Sequence, residues 1–450
     1  MMTDPLLSLS ALELVRRMQS GTVSAVEVMQ AHLRRIEEIE PSIRAWACLQ
    51  SEPALAAAAR ADAAQSAGHR LGMLHGLPVG VKDIIDTADM PTEYGTKVHQ
   101  GRRPARDATI VARLRAAGAI VLGKTVTSEY ALYVPGPTRN PRDGARTPGG
   151  SSSGSAAAVT ARMVPVALAT QTNGSTIRPA SFCGIVGYKP SLGVLPRTGI
   201  LQQSTMLDQP ALMARTIADV ALVTDAISGR DDADEQSLDQ GARLLDAACG
   251  DRGAPHFAFV RGPYWARADA ETRAAIENFV EALETPVTEL DLPPVFEAAA
   301  DTLGVLMDAG LAQAYRADYD KARTLMPDVV IRAIERGQAL SGAQVRDALA
   351  RRDNLVRLWD QLAAPFGALL TPAAVGVAPM ISEGTGDPIF ATTWTLVGAP
   401  SITLPVLTGS AGLPIGLQLV AGPHRDASLL GAASWVMHAS TIKPETTCAS

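Results

Sequence analysis

The sequence predicts an α/β protein in which a β-sheet is covered by helices. Helical and strand-like segments alternate along most of the chain, as between 107 and 124, where a helix, Gly118, the short strand Ile120-Val-Leu and Gly123-Lys124 follow in order. Leu74 to Asp83 places Leu77, Val79 and Val81 at period two, with Lys82 at its polar end. A chain of 450 residues that is 47% hydrophobic and 19% charged can bury a large core.

Two capping boxes, Ser10-Ala-Leu-Glu13 and Ser24-Ala-Val-Glu27, open the first helices. The second carries Val26, Met29, Leu33 and Ile36 on one stripe. An alanine-rich helix is expected over 53–67, a further helix over 156–164, a strand over 165–169, an extended segment from Gly184 to Tyr188 and a helix over 215–227. The stretch 230–255 reads as polar loop, and 268–284 and 296–365 as charged helices; 230–365 is therefore expected to be a helical cover within one domain spanning 1–450. Strands resume at Leu369-Leu-Thr-Pro, from Gly398 to Pro405 and from Gly412 to Ala421.

The net charge of −6 offers no basic footprint for nucleic acid and no cationic face for a membrane, which points to a small-molecule substrate. Cys48, Cys183, Cys249 and Cys448 lack zinc or disulfide spacing and fit a reducing compartment. The N-terminus has no basic segment followed by an apolar one, and no apolar run is long enough to span a bilayer, so a cytoplasmic protein is expected.

Two blocks carry the chemistry: Thr147-Pro-Gly-Gly-Ser-Ser-Ser-Gly-Ser-Ala-Ala-Ala-Val and Thr170-Gln-Thr-Asn-Gly-Ser-Thr-Ile-Arg-Pro-Ala-Ser-Phe-Cys-Gly. Hydroxyl residues among glycines let backbone amides approach a ligand closely. A flexible linker would not flank the apolar segment from Met163 to Ala169, so that reading is rejected. Gly150-Ser-Ser-Ser-Gly154 matches the G-x-S-x-G nucleophile elbow with Ser152 at its centre, but polar loop rather than a strand precedes it. His256, His424 and His438 lack the context of a catalytic base, and His69 and His75 lack metal-ligand spacing. A lysine at the end of an apolar strand, in contrast, can be held neutral by burial and serve as a base for a serine; the alternative is an ordinary solvated strand end.

Together with Gly80-Val-Lys-Asp83 and Gly187-Tyr-Lys-Pro, these blocks resemble the amidase signature family, and the resemblance covers most of the chain and is weaker over about 230–365. It implies a large mixed central sheet flanked on both faces by helices, a Ser-cisSer-Lys triad and no metal or organic cofactor. By position, Lys82 is then the base, Ser151 the bridging serine and Ser175 the nucleophile. Backbone amides of Thr172, Asn173, Gly174 and Ser175 form the oxyanion hole, and Gly149, Gly150 and Arg178 contact substrate. The implied reaction is hydrolysis of a linear C–N bond in an amide or carbamate through a serine acyl-enzyme.

Three features depart from the commoner family pattern. Asn173-Gly-Ser-Thr-Ile-Arg178 replaces Gly-Gly-Ser-Ile-Arg and resembles a malonamidase-like variant, which leaves Arg178 as either a substrate contact or a brace of the nucleophile loop. Leu207-Asp-Gln-Pro-Ala-Leu-Met suggests an unusual loop beside the site, and Trp394 in place of an asparagine a less polar pocket. Two rival functions are the ammonia-generating component of a tRNA-dependent amidotransferase, which needs a protein partner, and a phosphate- or nucleotide-binding protein, which lacks the P-loop lysine. A homodimer is the assembly left to test.

Overall fold

The structure, a computed structural model, describes residues 4–239, 243–250 and 253–442. Its centre is one sheet of eleven strands among the described residues: β1 Trp46–Leu49, β2 Pro78–Lys82, β3 Ile120–Thr125, β4 Val166–Gln171, β5 Val186–Lys189, β6 Gln209–Ala214, β7 Phe257–Phe259, β8 Val287–Glu289, β9 Ala368–Pro372, β10 Ser401–Thr408 and β11 Pro414–Val420. Their order is β1-β3-β2-β4-β6-β5-β10-β11-β9-β7-β8. β3, β2 and β4 run parallel, as do β9, β7 and β8, and the remaining pairs are antiparallel. The sheet is therefore mixed.

Helices cover both faces, and strand alternation divides the core between them. Phe257, Phe259, Leu370 and Leu419 pack into one apolar cluster, while their neighbours Ala258, Val260, Leu369 and Val420 pack into the other. The first cluster takes the N-terminal helices. There, the Ser24–Glu27 capping box is complete at the start of the helix Ala25–Ile43. That helix buries Ala25, Val28, Met29, His32 and Ile36, a face turned slightly from the predicted stripe, with Val26 and Leu33 at its flank. The second cluster takes the helices Ala299–Ala314, Asp328–Ala339, Gly342–Ala363 and Ile389–Leu396.

Several segments differ from the sequence reading. The helix expected over 156–164 is Ser153–Thr160, and the chain leaves it through Arg162 at a φ of 60°. The segment beside Asp208 is not a loop but strand β6, inserted between β4 and β5; Pro210 hides it in the sequence because proline argues against a central strand. The helix Ile177–Cys183 was likewise hidden by Pro179, which sits in the first turn, where backbone amides need no helical acceptor. The region 230–365 is not purely helical, since it supplies β7 and β8 at the far edge of the sheet. Trp394 packs against Trp359 in the core, with ring centroids 4.8 Å apart, rather than facing a pocket. Cys48, Cys183 and Cys249 are free thiols, and Cys448 lies outside the described residues. No described helix is long and apolar enough to cross a membrane.

Candidate active site

Lys82 ends β2, between the parallel neighbours β3 and β4. The register pairs Val81 with Leu168, which brings Lys82 alongside Thr170. Its Nζ lies 2.7 Å from Ser151 Oγ and 2.8 Å from Thr170 Oγ1. The side chain is fully buried, and loss of solvation pushes the amine well below its ordinary range, opposed by the negative charge of Asp208. A neutral amine there has a lone pair that can receive the Ser151 proton. The strand end is therefore not a solvated one.

Ser151 follows a cis Gly150–Ser151 peptide just before the helix Ser153–Thr160. Both preceding positions demand glycine because of what lies against them. A Cβ on Gly149, whose φ is 84°, would come within 2.8 Å of Pro179 Cα, and one on Gly150 within 2.8 Å of Thr385 Cγ2. These glycines are packed against Pro179 and Thr385 on their Cα side. Ser152, the centre of the elbow motif, is fully buried with its hydroxyl 3.3 Å from Thr170 O.

The second block forms a short loop between β4 and the helix Ile177–Cys183. Gln171 holds its far end, since its Oε1 accepts the amides of Thr176 and Ile177 at 3.0 and 3.1 Å. Thr395 bridges the near end: its hydroxyl accepts from Gln171 Nε2 at 2.9 Å and donates to Asn173 O at 2.7 Å. Among the described residues, the amides of Asn173, Gly174 and Ser175 have no acceptor within the protein. Ser151, Thr172, Asn173, Gly174, Ser175 and Arg178 all line one cavity of about 280 Å³. Thr172 is tied from outside, its hydroxyl donating to Asp208 Oδ1 at 2.7 Å. Asp208 also accepts the amides of Gln203 and Ser204 at 2.7 and 2.9 Å.

Arg178 is buried and only partly satisfied. Its Nη2 donates to Gly150 O at 2.6 Å, whereas Nε and Nη1 have no hydrogen-bond partner. Burial lowers its pKa to about 10. The two unpaired donors sit on different edges of the guanidinium, so each can serve a single carboxylate or carbonyl oxygen.

The three histidines stand apart from this cavity. His256 is exposed, with Nε2 2.9 Å from Thr288 Oγ1 beside the sheet edge, and His424 and His438 are exposed as well. Sequence reasoning missed Thr170, Gln171, Thr392, whose hydroxyl donates to Asn173 Oδ1 at 2.8 Å, and Thr395. The signal for the first two was present: period two in Thr170-Gln-Thr172 turns Gln171 to the opposite face from its neighbours. The third and fourth lie far along the chain and carry no local mark. Gln171→Leu leaves two buried amides without an acceptor, so we expect a loss of about 2 kcal/mol or more in stability by chemical denaturation, accompanied by lower turnover.

Comparison with known proteins agrees with this architecture. The sequence profile of the Amidase family matches residues 27–430. The chain belongs to the amidase family and is an amidase signature hydrolase. Among its relatives is the A-type subunit of the glutamyl-tRNA(Gln) amidotransferase of Chloroflexus aggregans, 36% identical over 91% of this chain and 92% of the relative. The native peptide amidase of Stenotrophomonas maltophilia superposes with a TM-score of 0.83 at 29% identity, covering 98% of both chains. A bacterial aryl acylamidase of the amidase signature family superposes at 0.88 over 97% of both chains; its 23% identity bears on the fold alone.

Proposed function

We propose that this chain hydrolyses a linear C–N bond of an amide through an acyl-enzyme on Ser175, with Ser151 as proton relay and Lys82 as base. The observation that carries the reading is the fully buried Lys82 amine 2.7 Å from the Oγ of Ser151, a residue that lines one cavity with Ser175. Neutral Lys82 takes the Ser151 proton as Ser151 takes that of Ser175, and Ser175 Oγ bonds to the substrate carbonyl carbon. The unpaired amides of Asn173, Gly174 and Ser175, with Thr172 beside them, receive the developing oxyanion. The C–N bond then breaks, and the relay returns a proton to the leaving nitrogen. Water releases the acyl group by the same route in reverse, regenerating Ser175. A carbamate presents the same carbonyl to the same groups. Turnover of the purified protein over amides, amino-acid amides and carbamates tests the reading; no hydrolysis of any of them contradicts it.

Arg178 is assigned both roles that the sequence left open. Nη2 braces the Gly150 carbonyl, and the partnerless Nε and Nη1 are the donors left for an acceptor on the substrate. Arg178→Ala is then expected to lower kcat/KM for the half-amide of a dicarboxylic acid about tenfold more than for a matched neutral amide. Equal losses for both substrates would reduce Arg178 to a brace.

A second reading is favoured by the Chloroflexus aggregans relative: an ammonia-generating component that works with a protein partner. It predicts that glutamine is the preferred amide and that its hydrolysis rises when the partner is supplied. Efficient turnover of other amides by the chain alone favours the first.

A further inference from the structure

The cavity at Ser175 opens onto a larger cleft of about 1000 Å³. Leu132, Tyr133, Asn173, Met307 and Pro388 line both, so the two spaces meet there. The cover helix Ala299–Ala314 turns one face to the cleft, Ala300, Leu303, Gly304, Met307, Asp308 and Leu311, at alternating spacings of three and one. From the helix Asp328–Ala339 come Val329, Ala333 and Arg336. The charges on this wall are already paired. Arg336 Nε and Nη2 hold Asp308 at 2.7 and 2.8 Å, and Arg267 Nη2 donates to Asp387 Oδ2 at 2.5 Å. What the cleft offers a ligand is mainly apolar surface.

Gly304 gives this cleft its width. In the same two helices, a Cβ on Gly310 would come within 2.4 Å of Gln203 O, and one on Gly337 within 2.0 Å of Asp308 O, so both are glycines because backbone lies against them. A Cβ on Gly304 would meet nothing within 4 Å, and its backbone does not occupy the left-handed region. Neither packing nor conformation calls for glycine at this helix-interior position, where it disfavours the helix relative to alanine. Any larger side chain would project into the cleft.

We propose that the outer cleft is the subsite for an uncharged apolar or aryl group carried by the amide several carbons from the scissile bond, and that Gly304 determines its specificity. This rests on the amide-hydrolase reading. Arg178 and the loop at Ser175 hold the reacting end of the substrate; the cover helices hold its far end.

The test is kcat/KM of the full chain for unbranched primary amides from acetamide to octanamide, with 4-phenylbutanamide as the aryl probe. Each methylene that enters the cleft should raise kcat/KM about threefold. In Gly304→Leu the ratio of octanamide to acetamide should fall about 30-fold, the equivalent of about three methylenes, and in Gly304→Ala less than about threefold. Both variants should unfold at a temperature no lower than the parent, since each improves helix propensity. A flat series in the parent, or a ratio unmoved in Gly304→Leu, overturns the proposal while leaving amide hydrolysis standing. A preference for glutamine over every apolar amide also overturns it. If no amide is turned over at all, the underlying reading fails first, and calorimetric binding of octanamide to the parent and Gly304→Leu then decides the cleft: tighter binding by the parent supports it, and equal or absent binding overturns it.

Discussion

Ser175→Ala is expected to lower kcat for every amide by at least about 10⁴-fold, because removing the nucleophile leaves only the oxyanion donors and substrate positioning. KM should change little, since the amides of Asn173, Gly174 and residue 175 stay in place. Ser152→Ala removes a buried hydroxyl 3.3 Å from Thr170 O and should retain most turnover. His256→Ala, His424→Ala and His438→Ala should do the same, as none of these side chains lines the cavity. Steady-state kinetics on the five variants separates the serine–lysine arrangement from both the elbow serine and a histidine triad. A histidine variant as inactive as Ser175→Ala contradicts the arrangement.

The second large effect falls on Lys82. Lys82→Met keeps the shape of the buried chain and removes the proton acceptor, so turnover should fall by about 10³-fold or more. In the parent, protonation of the amine removes the base. The rate should therefore rise with pH as Lys82 loses its proton, at a pH well below its ordinary pKa of 10.5. Stability follows the same sign. Between the lowered folded pKa and 10.5 the unfolded chain binds a proton that the folded chain does not, so this group's contribution to stability improves as pH rises toward 10.5. Replacing it by methionine should remove that slope and, at neutral pH, keep the unfolding midpoint within about 5 °C of the parent. A lysine variant that keeps the parent rate and its pH profile would exclude Lys82 as the base.

Local chemistry made part of this molecule legible in its sequence. The capping box at Ser24 and Glu27, the apolar alternation through Val79 and Val81, and the glycine and hydroxyl blocks all declare themselves within a few residues. Lys82 was conspicuous because lysine is scarce beside arginine in this chain and this one ends an apolar strand, where burial makes a charge costly. Strand β6 and the helix Ile177–Cys183 were not legible, because Pro210 and Pro179 argue locally against structures that tertiary pairing and a first-turn position allow. Nor were the supports of the loop at Ser175. Thr395 acts on Asn173 from 222 positions away, and only folding brings them together. The close approach of Pro179 and Thr385 to Gly149 and Gly150 has no mark in the sequence. The open side of Gly304 likewise has no sequence signature, because it depends on what is missing opposite it.

The most direct test of the central claim is the site of covalent attachment after reaction with a serine-directed fluorophosphonate, read by tryptic mapping. Arg146, Arg162 and Arg197 bound two peptides, while Arg178 and Lys189 each precede proline and resist cleavage, so Ser151 and Ser152 fall in 147–162 and Ser175 in 163–197. A single adduct on Ser175, absent in Ser175→Ala and strongly slowed in Lys82→Met, is the predicted result. An adduct on Ser152, or unimpaired amide hydrolysis in Ser175→Ala, would contradict the account.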